Sequence, residues 1–286
     1  MEEQHLNKNR SKGILYCVLA AVLWSTGGIL IKLIDWNPIA ISGLRSLIAS
    51  LVILAYMKKP KMTKSKPLFL GAGTYAITVF MFVIANKLTT SANVILLQFT
   101  APIFVAILSA WLLHEKIVKV DVIAIIFVFL GMTLFFVQNI SYGNALGNVL
   151  AILSGFFLAC TTIALRLQKD GSAIESTFLG NVITFIIAIP FILQVKPDIR
   201  SIIFILILGI FQLGISYVFY VNGLKYVTAL EGILLTVLEP ILNPVWVFLI
   251  SGEKPGILAV VGGIIVVGSV IARGVYISKK EAEDCK

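Results

Sequence analysis

The chain has 286 residues, 59% of them hydrophobic and 13% charged, and 23 Lys and Arg against 14 Asp and Glu leave a net charge of +9. A soluble domain carries about 45–50% apolar and about 25% charged residues, so these proportions exclude an ordinary globular core and require lipid to solvate much of the surface. The basic excess lies in short connectors and tails, not along a polar helix face, which argues against nucleic acid and for the positive-inside bias of membrane proteins.

A helix crossing about 30 Å of hydrocarbon needs about 20 apolar residues. Ten stretches qualify: 13–33, 38–57, 67–86, 91–113, 118–138, 147–166, 174–194, 200–222, 227–250 and 256–277. They are far longer than the roughly ten-residue alternating strands of a membrane barrel, so the expected class is all-α integral membrane. The first follows Lys8, Arg10 and Lys12; it is too long for a signal-peptide core and lacks a small-x-small cleavage site, so it reads as a retained helix. It carries Trp24 at mid-span, away from the interfacial belt where Trp usually sits, which suits a cavity wall or a cation–π surface as well as packing.

Span 2 opens at Pro38 and buries Arg45 about 10 Å deep by helical rise. That guanidinium could fork onto a carboxylate, snorkel outward or pair with a helix end. Lys58, Lys59, Lys61, Lys64 and Lys66 follow as one basic run. Span 3 holds Tyr75 and ends at Asn86. Span 4 carries Asn93, Gln98 and Thr100 ahead of Pro102, groups that suit a ligand or a neighbouring helix equally. The linker Asn139 to Gly147 has no formal charge.

Span 8 places Gln212 one turn before Tyr217 and Tyr220, which are three apart and share a face. Span 9 begins with Glu231, favoured there by the helix dipole alone. Glu239 lies about twelve residues into the same span, near the midplane, directly before Pro240. Proline frees a carbonyl four residues upstream, and in hydrocarbon that carbonyl needs a hydroxyl, water or a cavity. Glu239 is therefore the candidate proton carrier or partner for a substrate ammonium, with a protonated, kink-tying Glu as the structural alternative.

With the N-terminus inside, seventeen basic residues flank the cytoplasmic side and five the outer side, with Arg45 within a span. Both termini are expected in the cytoplasm and the protein in the plasma membrane as a multi-pass chain.

The sequence also repeats. Asn86–Lys116 matches Asn222–Lys254, with Pro102 against Pro240, Glu115 against Glu253 and Gln98 against Thr236; Gly13–Lys32 matches Gly147–Arg166. Five spans per copy is an odd number, so the copies enter the bilayer from opposite sides: ten helices as two inverted-topology repeats, residues 1–140 and 141–286. Ala101 stands where the second copy has Glu239.

Five plus five spans, the Trp-Ser-Thr-Gly-Gly run with Lys32, and the prolines of spans 4 and 9 followed by Glu-Lys resemble the EamA family of the drug/metabolite transporter superfamily. That resemblance implies a central cavity lined by spans 1, 3, 4, 6, 8 and 9, with spans 5 and 10 at the periphery. It implies transport of amino acids, other metabolites, nucleotide sugars or drugs, and leaves substrate and direction open.

The substrate-binding candidates are Trp24, Tyr75, Gln98, Gln212, Tyr217 and Glu239, with Glu239 also for proton coupling. No cofactor, metal or catalytic group is expected: Cys17, Cys160 and Cys285 lack ligand spacing, and no hydrolase, zinc-protease or nucleotide-binding motif occurs. The expected function is secondary active transport of a small organic metabolite by alternating access, proton-coupled or exchanging, with lipid, the solute and protons as partners and no oligomeric state implied. A membrane sensing protein on a transporter fold is the alternative, ahead of an intramembrane enzyme.

Overall fold

A computed structural model describes residues 2–58, 64–137, 144–168, 173–242 and 256–284. The protein is helical throughout these residues, with no strand among them. The helices are α1 (Glu2–Trp24), α2 (Gly27–Lys32), α3 (Pro38–Met57), α4 (Lys66–Leu88), α5 (Ser91–Gln98), α6 (Ala101–Leu108), α7 (Lys119–Phe136), α8 (Ala145–Leu167), α9 (Ala173–Ile192), α10 (Ile199–Ile207), α11 (Ser216–Gly223), α12 (Ala229–Leu235) and α13 (Ile257–Asp284). Among the described residues, nine helical stretches are long and apolar enough to cross a membrane, beginning at Asn9 and ending at Lys280. They coincide with nine of the ten expected spans to within four residues at each end. The tenth, 227–250, is described as far as residue 242; Pro244, Glu253 and Lys254 lie outside the described residues, as do Lys59, Lys61, the linker residues 139–143 and Cys285.

Local chemistry sets the helix starts. Asn37 and Ser65 cap α3 and α4, accepting from the backbone N–H of Ile39 and Leu68, and each is followed within two residues by a proline in the first turn. Thr90 and Thr228, equivalent in the two copies, cap α5 and α12 by accepting from Asn93 and Glu231. Asp198 caps α10; the side-chain and backbone donors of Ser201 hold its carboxyl below the usual carboxylate range.

Small residues set the packing, as expected where lipid removes any hydrophobic drive between helices. A Cβ at Gly43 of α3 would sit 2.2 Å from the Cβ of Ala188 on α9, and one at Gly223 of α11 would sit 2.6 Å from Cys17 Sγ on α1. These pairs join the N-terminal and C-terminal halves across the bundle. Helix α7 packs on α13 through facing glycines: a Cβ at Gly262 would lie 2.4 Å from Gly131 O.

The described end that carries most of the basic residues is tied by ion pairs. Arg10 donates to Glu231 at 2.7 Å, joining α1 to α12. Glu115 accepts from Arg166 at 3.3 Å and from Ala229 N at 3.1 Å, joining the end of span 4 to α8 and α12. Arg273 donates to Asp121 at 2.7 Å, joining α13 to α7. At the opposite end, Lys32 donates to Thr89 O at 2.8 Å and Lys87 to Ile34 O, which ties α2 to the end of α4.

Candidate functional site

Helix interruptions shape the centre of the bundle. Span 1 breaks between α1 and α2 at Ser25 and Thr26, whose hydroxyls donate to Val22 O and Leu23 O at 2.6 and 2.9 Å. Span 4 breaks at Phe99 and Thr100. Pro102 has no N–H for Gln98 O, and the Thr100 hydroxyl donates to Leu97 O at 2.8 Å. In span 9, residues 236–237 form the turn between α12 and a helix resuming at 238. The Thr236 hydroxyl donates to Ile233 O at 2.7 Å, and Glu239 N takes Thr236 O at 2.9 Å in place of the donor that Pro240 lacks. Each proline site thus carries a threonine hydroxyl bonded back three residues, at non-equivalent positions: Thr100 lies two residues before Pro102 and Thr236 four before Pro240. Span 8 is π-helical over residues 208–215, which shifts the face that Gln212 presents.

These interruptions surround a small cavity of about 50 Å³. It is lined by Trp24 of α1, Arg45 of α3, Thr78, Val79 and Phe82 of α4, Gln98 of α5, Leu158 of α8, Gln212, Leu213 and Tyr217 of span 8, and Glu239. Spans 5 and 10 contribute no lining residue, and their helices α7 and α13 pack on each other.

Five of the six substrate-binding candidates therefore share one cavity: Trp24, Gln98, Gln212, Tyr217 and Glu239. Tyr75 does not line it. Its ring stands behind Tyr217, edge-on at 4.7 Å, fully buried, with its hydroxyl donating to Asn181 Oδ1 at 3.1 Å. Trp24 meets Tyr217 and Tyr220 at 5.1 and 5.0 Å, so one aromatic wall runs from α1 to span 8. Tyr220 is anchored to Thr162 at 3.0 Å. Gln98 donates to Ser154 at 2.8 Å, which fixes its amide.

Arg45, for which the sequence allowed snorkelling or helix-end pairing, does neither. It is 1% exposed and its Nη1 donates to Gln212 Oε1 at 3.1 Å. Its Nε is buried with no hydrogen-bond partner, and no acid pairs with it among the described residues. Gln212 is itself held close by Gly27, where a Cβ would meet Gln212 Nε2 at 2.8 Å. Glu239 is half-buried and makes no side-chain hydrogen bond or ion pair among the described residues. The cavity thus holds one cation and one acid that do not neutralise each other. Asn86 and Asn222 are structural: each donates back one turn, to Phe82 O and Val218 O at 2.9 and 2.8 Å. Sequence reasoning missed Val79, Phe82, Leu158 and Leu213, whose apolar side chains carry no signal that separates cavity from core, and Thr78, whose hydroxyl donates back to Thr74 O at 2.8 Å.

Fold and cavity together define a multi-pass helical membrane protein with a cavity among its helices lined by both apolar and polar side chains. Comparison with known proteins narrows this. The model of the EamA-like transporter family matches twice, over residues 11–137 and 145–272. The chain belongs to that family. It is similar to an uncharacterized transporter of Clostridium kluyveri, 25% identical over 96% of both chains. It is similar to the pseudopaline exporter CntI of Pseudomonas aeruginosa, 26% identical over 91% of this chain and 95% of that one. A solved crystal structure aligns with a TM-score of 0.78 at 18% identity, covering 92% of this chain and 98% of that one, a likeness of fold.

Proposed function

We propose that the protein is a secondary active transporter of a small organic metabolite, an amino acid, an amine or a similar solute, working by alternating access in the plasma membrane. Ten spans would form two inverted repeats, residues 1–140 and 141–286, with the solute bound between them. The observation that carries this reading is the cavity itself: side chains from both halves line it, beside a broken helix in each half. Broken helices around a central site are how such transporters expose backbone and polar groups to a cargo without meeting lipid. The ion pairs at one end support the alternation of the spans, because Arg10, Glu115, Asp121, Arg166, Glu231 and Arg273 all belong to span ends that ten alternating helices place on one side of the membrane. The relatives named as transporters support a solute rather than a protein cargo, and the exporter among them supports outward movement.

Trp24, Gln98, Gln212, Tyr217 and Glu239 are the binding residues in this reading. Tyr75 takes part as the support behind Tyr217. Glu239 couples to protons: half-buried beside apolar and aromatic groups, it can discharge by protonation when no cation faces it. Glu239→Gln should abolish uptake driven by a pH gradient in proteoliposomes. Full gradient-driven uptake by that variant would remove the proton role.

A further inference from the structure

We propose that Arg45 is the docking group for a carboxylate on the transported solute, and that the cargo is a zwitterion whose cationic end lies on the Glu239 side of the same cavity. The inference rests on the transport reading and goes further by assigning the cargo's chemistry and a recognition residue on span 2, outside the spans that the family resemblance assigns to the cavity.

An arginine stays charged at any physiological pH, and a charge in low dielectric demands a counter-charge or full hydrogen bonding. Arg45 has neither. Gln212 satisfies Nη1 alone, with a neutral oxygen, while the buried Nε has no partner. The edge formed by Nε and Nη2 is the one that forks side-on onto a carboxylate, and it carries no hydrogen bond among the described residues. Arg45 nevertheless lines the cavity, so the missing anion has a place to come from. Glu239 does not supply it, since no ion pair joins the two although they line the same chamber. The acid and the faces of Trp24 and Tyr217 instead form a second recognition element, suited to an ammonium through charge and cation–π attraction. A solute with both charges neutralises both protein groups at once. A pure anion leaves Glu239 unanswered, and a pure amine leaves Arg45 so.

The test uses the full chain purified in detergent, with thermal unfolding as the readout and matched probes: leucine, phenylalanine and lysine, the amine each gives on decarboxylation, and the acid each gives on deamination. At least one amino acid should raise the unfolding temperature more than its amine or its acid at equal concentration. Arg45→Gln should raise the concentration needed for that shift by about 10- to 100-fold, the loss of one charge-assisted hydrogen-bonded contact. It should leave the unfolding temperature without probe unchanged or higher, because an uncompensated buried charge has been removed. Arg45→Lys should fall between, keeping the charge and losing the fork. The proposal is overturned if no carboxylate-bearing probe stabilises the wild type, if amines stabilise wild type and Arg45→Gln alike, or if both variants lose several degrees without probe, which would make Arg45 a structural cation. Labelled-solute exchange separates the two claims. Exchange of a solute without a carboxylate, unchanged in Arg45→Gln, ends this proposal and leaves transport standing; binding that depends on Arg45 without any exchange does the reverse.

Discussion

Gly155 offers the sharpest test of how the chamber is built. It lies on α8 where that helix crosses the break in span 4, and a Cβ there would stand 2.6 Å from Gln98 O and 3.1 Å from Thr100 Oγ1. Ordinary contact begins at 3.4 Å, so Gly155→Ala forces α8 and the break apart by about 0.8 Å. The obstacle is a backbone carbonyl and cannot rotate away. Overpacking of this kind costs about 1–3 kcal/mol. Alanine also gains about 0.5–1 kcal/mol in a helix interior, which would mask part of the effect. Gly73→Ala in α4 supplies the control, since its Cβ would meet nothing within 4 Å and it carries the same helical gain. The difference between the two variants then isolates the clash. At about 2–4 °C per kcal/mol for a chain of this size, Gly155→Ala should unfold about 2–12 °C below Gly73→Ala in the same detergent and at the same scan rate. Leu158, one turn on from Gly155, and Gln98 both line the cavity, so the displacement should also weaken solute binding. Equal unfolding temperatures for the two variants would refute the close crossing of α8 over the span 4 break.

Other changes probe the scaffold and the wall. Asp121→Leu strands Arg273, which is 6% exposed, and should cost about 3–5 kcal/mol; adding Arg273→Met should recover most of it, short of the hydrogen bond that Asp121 accepts from Val118 N, as a thermal double-mutant cycle would report. Tyr75→Phe removes the donor to the buried Asn181 oxygen and should cost about 1–3 kcal/mol while leaving the concentration dependence of solute stabilisation unchanged, because Tyr75 stands behind the wall. A large loss of affinity in that variant would put its ring in the chamber after all.

Much of the architecture was legible because lipid makes apolar length a direct readout of helices; the nine described spans follow from it. The site was legible for a related reason. Gln98, Gln212 and Glu239 are polar groups in apolar stretches, and hydrocarbon leaves such groups few places to go except a chamber or a partner. Arg45 shows where this reasoning stops. Its depth was readable, but whether it snorkels, pairs or waits depends on Gln212, 167 residues away. Tyr75 shows the converse, since period and composition do not separate a cavity face from the layer behind it. Pro102 and Pro240 announced their breaks. The break at Ser25–Thr26 and the π-helical turn over 208–215 have no proline to announce them. The pairing of Arg10 with Glu231, 221 residues apart, depends on which helix ends meet, which no single segment encodes.

The central claim is that solute crosses the membrane through the chamber holding Glu239. Proteoliposomes loaded with an unlabelled amino acid that stabilises the protein should accumulate the labelled form transiently above equilibrium, and liposomes without protein should not. Glu239→Gln should lose solute-dependent proton entry, read by a trapped pH dye, and should also weaken this exchange, because Glu239 faces the solute's cationic end. Failure of the wild type to exchange any stabilising solute would contradict the account.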